Sequence, residues 1–173
     1  MPSDRLRLCR LDPVYMRELS KVDHNVLSTL PEQGKANRPF VGVVIVRGNK
    51  QYCVPLSSPK PKHKHMKADR DFSKIVDRHG KLIGVLNFNN MIPVKNSVII
   101  DLDLSPRPFD SPSEKAYKQL MVDQLGWCND NRDLIRRKAA KLYDIVTTRP
   151  ESAPGLVRRC CDFKLLESVL EAW

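Results

Sequence analysis

The run Phe40-Val41-Gly42-Val43-Val44-Ile45-Val46 has no polar side, and it constrains the fold more than any other segment. It is followed by the turn-forming Arg47-Gly48-Asn49-Lys50 and then by Gln51-Tyr52-Cys53-Val54. β-Branched side chains suit an extended, pleated backbone, and Gly-Asn suits the tight reversal between two such runs. The pattern predicts a hairpin whose first strand is apolar on both faces.

The remaining elements follow from period and caps. Asp12-Pro13-Val14-Tyr15 opens a short helix, with aspartate as the cap and proline at the first helical position, and Leu19 and Val22 are expected to face a core. Residues 55–81 are rich in Pro, Lys, His and Asp and read as an irregular excursion between strands. Leu82 to Phe88 and Met91 to Val94 are extended segments broken by Asn89-Asn90, and Ser97 to Leu102 forms another strand, so a strongly bent antiparallel sheet is expected. Beyond the linker 105–110, the capping box Ser111-Pro112-Ser113-Glu114 starts a helix that should reach about Gly126. A second helix from about Asp130 places Ile135, Ala139, Leu142 and Val146 on one stripe and leaves Arg132, Arg136, Arg137, Lys138 and Lys141 for a basic outer face. A closing helix from Asp162 to Trp173 should dock on the sheet through Phe163, Leu166, Leu170 and Trp173. The expected organisation is one domain over residues 1–173 with an α+β fold.

Composition narrows the function. A net charge of +10 and a pI near 9.6 favour polyanions, nucleic acid first, because bound counterions are released when lysine and arginine neutralise phosphates. No apolar run is long enough to span a bilayer, and the charged start Met1-Pro2-Ser3-Asp4-Arg5-Leu6-Arg7 precedes no signal-peptide core, so a cytoplasmic protein without membrane partners is expected. The five cysteines are odd in number, include the adjacent Cys160-Cys161 and lack C-x-x-C spacing, which argues for buried thiols rather than zinc or disulfides.

The densest polar cluster, Ser57-Ser58-Pro59-Lys60-Pro61-Lys62-His63-Lys64-His65-Met66-Lys67, leaves directly from a strand. Its lysines suit phosphates, and its serines and histidines suit work on a phosphodiester; a plain solvated basic loop is the alternative. His63 and His65 have the spacing of a metal pair on an extended strand, but nothing supplies further ligands and the neighbouring lysines repel a dication, so neither metal nor cofactor is expected. Metal-free cleavage remains open on RNA, whose 2′-hydroxyl can attack the adjacent phosphate, whereas DNA has no such internal nucleophile. The reaction needs a group to take the 2′ proton, a cation for the crowded phosphorane and a proton for the leaving 5′ oxygen. Ser58 can orient the 2′-hydroxyl or donate to a phosphoryl oxygen; covalent attack by Ser58 is a further option that no Ser-His-Asp ordering compels.

Several of these runs resemble one family in the same order: Arg38-Pro39-Phe40-Val41-Gly42-Val43-Val44, Tyr52-Cys53-Val54-Pro55-Leu56-Ser57-Ser58-Pro59-Lys60, His63-Lys64, Gly84-Val85-Leu86-Asn87-Phe88 with Met91-Ile92-Pro93, Tyr117-Lys118-Gln119-Leu120 and Cys161-Asp162-Phe163-Lys164-Leu165-Leu166-Glu167. They are similar to the ToxN/AbiQ endoribonuclease toxins of type III toxin-antitoxin systems, a group that includes CptN and TenpN toxins. The resemblance implies a compact, twisted, barrel-like antiparallel sheet with flanking helices, related to the MazF/Kid fold. It implies metal-independent RNA cleavage to a 2′,3′-cyclic phosphate and a 5′-hydroxyl, with cellular or phage RNA as substrate and a role in growth arrest and phage defence. It further implies that the toxin cuts its own repetitive antitoxin transcript and is inhibited by the folded RNA units in a closed assembly.

By position, Ser58 matches the family's essential serine, Lys60 the lysine two residues on, Ser57 a hydroxyl position often held by threonine, and Arg38 a lysine or arginine ahead of the Phe-x-Gly strand. His63 and Lys64 match a pair implied to grip RNA. Some relatives carry a tyrosine four residues before the Arg38 position, where this chain has Gly34. The expected catalytic set is therefore Ser58, Lys60, Arg38 and Ser57, and the expected RNA contacts are Lys62, His63, Lys64, His65, Lys67, Arg136 and Arg137. The competing readings are a non-catalytic RNA-binding module and, behind it, a DNA-binding regulator using the basic helix.

Overall fold

A computed structural model describes residues 5–27, 38–67 and 69–173. In chain order its elements are β1 (Arg7–Leu11), α1 (Pro13–Val22), β2 (Phe40–Ile45), β3 (Gln51–Ser57), β4 (Phe72–Val76), β5 (Leu82–Asn87), β6 (Ile92–Pro93), β7 (Ile99–Asp101), α2 (Pro112–Asp130), α3 (Arg132–Thr148), α4 (Pro154–Arg159) and α5 (Phe163–Glu171).

The hairpin of β2 and β3 forms as expected. Phe40 pairs with Pro55 and Ile45 with Gln51, and the reversal places Gly48 and Asn49 at φ 65° and 66°, the left-handed region that glycine and asparagine tolerate best. Around this hairpin seven strands among the described residues form one antiparallel sheet in the order β4-β5-β3-β2-β1-β7, with β6 pairing β3 off that path. The path ends at β4 and β7 without closing, so the fold is α+β with an open sheet rather than the barrel-like closure expected.

A glycine is required in the middle of β2. A Cβ on Gly42 would stand 2.7 Å from Cys53 Sγ and 3.2 Å from Cys9 Sγ, because the two buried thiols approach one another to 3.7 Å across it from the flanking strands. Overpacking a filled core is costly. Gly42→Ala is expected to destabilise the protein by about 2 kcal/mol, read as a lower urea midpoint with an unchanged slope.

Helix α1 begins where the cap was read: Asp12 accepts hydrogen bonds from Val14 N at 2.8 Å and Tyr15 N at 3.4 Å. Its buried side chains are Tyr15, Met16 and Leu19, while Val22, expected inside, is 43% exposed. The helix stops at Val22, and the core edge beyond it is taken by Asp23 and Val26; Asp23 accepts from Asp162 N at 2.7 Å and ties the chain to the start of α5. Helix α2 passes Gly126 and reaches Asp130, since one glycine costs a helix only about 1 kcal/mol and packing continues beyond it through Cys128. Its cap is half of the expected box, with Ser111 Oγ accepting from Glu114 N at 3.1 Å.

Helix α3 buries Ile135, Ala139 and Leu142 as expected, and Tyr143 and Ile145 in addition. Residues 55–81 are less irregular than their composition suggests. Strand β3 runs on to Ser57, and Phe72–Val76 is a strand paired along its length with β5. Helix α5 closes the core with Phe163 and Leu166 fully buried; Trp173 is 42% exposed but meets the buried Tyr15 ring edge-on at 5.4 Å.

One buried carboxylate fastens three layers. Glu167 of α5 accepts from Tyr52 Oη of β3 at 2.9 Å, from Tyr143 Oη of α3 at 2.7 Å and from Lys50 Nζ at 2.8 Å. Burial alone would raise its carboxyl, but the bonds from Lys50, Tyr143 and Tyr52 together outweigh burial and hold it below the usual range. No helix among the described residues is long and apolar enough to cross a membrane.

Candidate active site

The end of β3 is where the chain delivers its reactive residues. With Phe40 opposite Pro55, the same register carried two residues further sets Arg38 across from Ser57. Arg38 Nη1 donates to Ser57 Oγ at 3.1 Å. From the other side Asn87, the last residue of β5, donates through Nδ2 to the same oxygen at 2.9 Å. Ser57 thus accepts twice, and its own proton is left to point elsewhere. Burial lowers the Arg38 guanidinium somewhat, but an arginine stays cationic at any physiological pH.

Ser58 lies just past the strand and is exposed, and its hydroxyl has no partner among the described residues. The chain then turns at Pro61–Lys64 and is clamped at both ends: Lys60 N donates to His63 Nδ1 at 2.8 Å, and His63 N donates to Lys60 O at 2.9 Å. The His63 ring stacks on Phe72 of β4 at 5.9 Å and is 7% exposed. Burial, followed by the charges of Lys62, Lys60 and Lys74, holds its pKa below the ordinary value, so the ring is neutral with Nδ1 as acceptor. Lys74 Nζ, on β4, reaches the Lys64 carbonyl at 3.4 Å and steadies the turn from the other side.

These residues border a cleft of about 490 Å³ whose lining includes Arg38, Ser57, Ser58, Lys60, Lys62 and His63, together with Asn87, Asn90 and Tyr117 from later in the chain. All four residues of the expected catalytic set are therefore brought together, along with two of the expected RNA contacts. Lys64, His65 and Lys67 are exposed on the adjoining loop. His63 is turned inward, which makes it an anchor for Lys60 more than a free hand for RNA. Arg136 and Arg137 on α3 do not line this cleft; Arg137 borders a separate hollow with Lys138 and Lys141. Gly34 lies outside the described residues.

The residues missed from sequence are Asn87 and Tyr117. Both fall within matched runs, yet neither carries a chemical signature by itself, and only the β3–β5 pairing and the docking of α2 bring them to the serines. Among the described residues, no carboxylate lines the cleft and no group of three His, Cys, Asp or Glu is arranged to hold a metal. Asp69 and Asp71, which follow the 57–67 segment in sequence, face Arg159 at 3.9 and 3.0 Å. What the arrangement offers chemically is cations and hydroxyls around an open space, the equipment for an anionic phosphorane.

Residues 7–171 match the family model for toxin ToxN of type III toxin-antitoxin systems. The endoribonuclease ToxN of Bacillus thuringiensis subsp. kurstaki is 32% identical over 156 residues, which span 88% of this chain and 76% of that protein. Among solved structures, one from work on selective toxin inhibition by a non-coding RNA pseudoknot in type III systems superposes with a TM-score of 0.81 at 28% identity, covering 98% of each chain. Another, of AbiQ, a lactococcal anti-phage endoribonuclease of the type III toxin-antitoxin system, superposes with a TM-score of 0.80 at 27% identity over 97% of each chain. Fold and site together define the class of RNA-cleaving toxins. The chain belongs to the ToxN toxin family of type III toxin-antitoxin systems.

Proposed function

We propose that the cleft at Arg38, Ser57, Ser58 and Lys60 cuts RNA by attack of the 2′-hydroxyl on its own 3′-phosphate, without a metal ion. The 2′ oxygen loses its proton and forms a bond to phosphorus, the bond from phosphorus to the 5′ oxygen breaks, and that oxygen takes up a proton. The products are a 2′,3′-cyclic phosphate and a 5′-hydroxyl. Arg38 and Lys60 stabilise the phosphorane, Ser57 donates the proton left over by its two accepted bonds to a phosphoryl oxygen, and Ser58 orients the 2′-hydroxyl or relays its proton. Lys62, Lys64, His65 and Lys67 bind the backbone around the scissile step, and His63 holds Lys60 in place.

The observation that carries this reading is the Arg38–Ser57 contact at 3.1 Å beside an exposed Ser58 that meets no described partner, in a cleft lined, among the described residues, by cations and hydroxyls. Family membership supplies the substrate class, since curated ToxN and AbiQ relatives are endoribonucleases. The same membership leads us to infer that the chain acts in the cytoplasm, cuts its own repetitive antitoxin transcript and is held by the folded RNA units in a closed assembly. Growth arrest and defence against phage are the biology that follows, and kinship with MazF/Kid toxins is inferred on the same ground.

The test is cleavage in the presence of a chelator. A discrete set of products with cyclic phosphate ends is expected, together with loss of at least about a hundredfold in rate when the ribose before the scissile bond is 2′-deoxy. Equal cutting of the deoxy-substituted RNA rules out the internal nucleophile. RNA that shifts on a gel without being shortened marks the chain as a binder only.

A further inference from the structure

Ser57 is gripped from two sides, and the two grips differ. Arg38 reaches it along the ladder, where the register sets the two residues opposite each other. Asn87 reaches it along a diagonal: Ser57 pairs with Val85, and Asn87 stands two residues further along β5 on the same face of the sheet. The end of β5 is held in turn by β4, since Asn87 pairs with Phe72, whose ring stacks on His63. One cross-strand pair therefore supports both halves of the site. Phe72 backs the histidine that anchors Lys60, and Asn87 holds the hydroxyl of Ser57.

A hydroxyl has one proton to give and two lone pairs to receive with. A guanidinium can only donate, so Arg38 takes one lone pair of Ser57 and leaves the proton undirected. The amide of Asn87 settles its direction. With Nδ2 donating at 2.9 Å the second lone pair is taken too, and Ser57 becomes a donor only. Both residues are half-buried on the wall of the cleft, so the place left for an acceptor is the open space that Ser58 and Lys60 also border. An accepting group at position 87 would do the reverse and draw the proton back into the sheet.

We infer that Asn87 is a positioning residue for RNA cleavage: its amide keeps Ser57 a hydrogen-bond donor directed into the cleft, toward the phosphoryl oxygen that gains charge in the phosphorane. Asn87 acts through Ser57 and touches no reacting atom. The inference rests on the role proposed above for Ser57, and the experiment separates the two.

Single-turnover cleavage of an RNA that the parent cuts is measured with saturating protein between about pH 5 and about pH 8. The proteins are the parent, Asn87→Asp, Asn87→Ala, Ser57→Ala and the two double variants that combine Ser57→Ala with a change at position 87. Asn87→Asp keeps the shape and replaces the donor by an acceptor. A carboxyl titrates near about pH 4, and lower beside an arginine, so at neutral pH the new side chain accepts the Ser57 proton. The rate near neutral pH should fall about a hundredfold or more, the size expected when a transition-state donor is lost. Only the protonated carboxyl restores a donor at that place, and its share grows about tenfold for each pH unit of acidification. The rate relative to the parent should climb by about the same factor per unit, and taking that ratio cancels the titrations that the two proteins share. Asn87→Ala, which frees the hydroxyl to rotate, should cost about tenfold at every pH. In the Ser57→Ala background neither change should slow the reaction further, because no proton is left to direct. A pH-independent ratio for Asn87→Asp overturns the inference, as do losses at position 87 that multiply with the loss from Ser57→Ala. Ser57→Ala protein that cuts at the parental rate overturns the role of Ser57 and this inference with it; a slow Ser57→Ala with multiplying losses overturns the inference alone. If Asn87→Asp does not fold, the alanine variants decide by the same rule.

Discussion

Ser58→Ala is expected to lower the rate of RNA cleavage by about a hundred- to a thousandfold, or beyond measurement, while RNA affinity stays within about threefold of the parent. The size follows from what the hydroxyl is free to do. Ser57 is engaged by Arg38 and Asn87, but the Ser58 oxygen is exposed and meets no described partner, so removing it costs the folded state nothing and takes away only an interaction with the reacting groups. The melting temperature should therefore not move. Purified, chelator-treated Ser58→Ala protein that still cleaves at the parental rate would remove Ser58 from the mechanism and shift attention to Ser57, Arg38 and Lys60.

The largest effect on stability is expected at Glu167→Ala, a loss of about 3 kcal/mol. The substitution leaves the buried Tyr52 and Tyr143 hydroxyls without their acceptor, and a buried polar group stripped of its partner costs more than an average hydrogen bond contributes. Lys50 is partly exposed and can turn to water, so its share is small. The same carboxylate gives stability a pH dependence of definite sign. Its folded pKa lies below the unfolded one, so its contribution is complete above the unfolded value, near pH 4.3, and is lost as pH falls through the folded value. In urea titrations the parent should weaken below about pH 4, and Glu167→Gln should flatten that part of the curve. An alanine variant as stable as the parent would mean that the two tyrosines find water or another acceptor.

How much could be read in advance differs between the two halves of the site. Arg38 and Ser57 were legible through the family resemblance, which matches both positions; the hairpin alone does not place them, because the pairing of Ile45 with Gln51 carried outward would set Arg38 across from Ser58, and the shift between Val41 and Val44 is what brings it to Ser57. Asn87 was not, because its place depends on β5 pairing with β3 across a long intervening segment, and a lone asparagine at a strand end signals nothing. Strand β4 was hidden for a similar reason. Phe72-Ser73-Lys74-Ile75-Val76 is short and sits among charges, and only its pairing with β5 makes it extended. Lys138 was read as part of a solvated face, since periodicity assigns a lysine outward; the unpaired Phe72 carbonyl and Ser73 hydroxyl that draw it inward belong to an element the sequence pattern had not shown. Glu167 likewise disappeared into the polar positions of an amphipathic helix, although β3, α3 and the turn before β3 supply its bonds.

The arginine that enters the β2–β3 ribbon and the serine that leaves it face each other only in one alignment of the two strands. A slip by a single residue would turn Ser57 to the opposite side of the pleat and bring a different neighbour to Arg38. The shift in pairing that sets this alignment falls between Val41 and Val44, at Gly42, where the sulfur atoms of Cys53 and Cys9 leave little room for a side chain. On the proposed mechanism, misaligned molecules would be inert, and a toxin built this way would acquire its bite only on completing its fold.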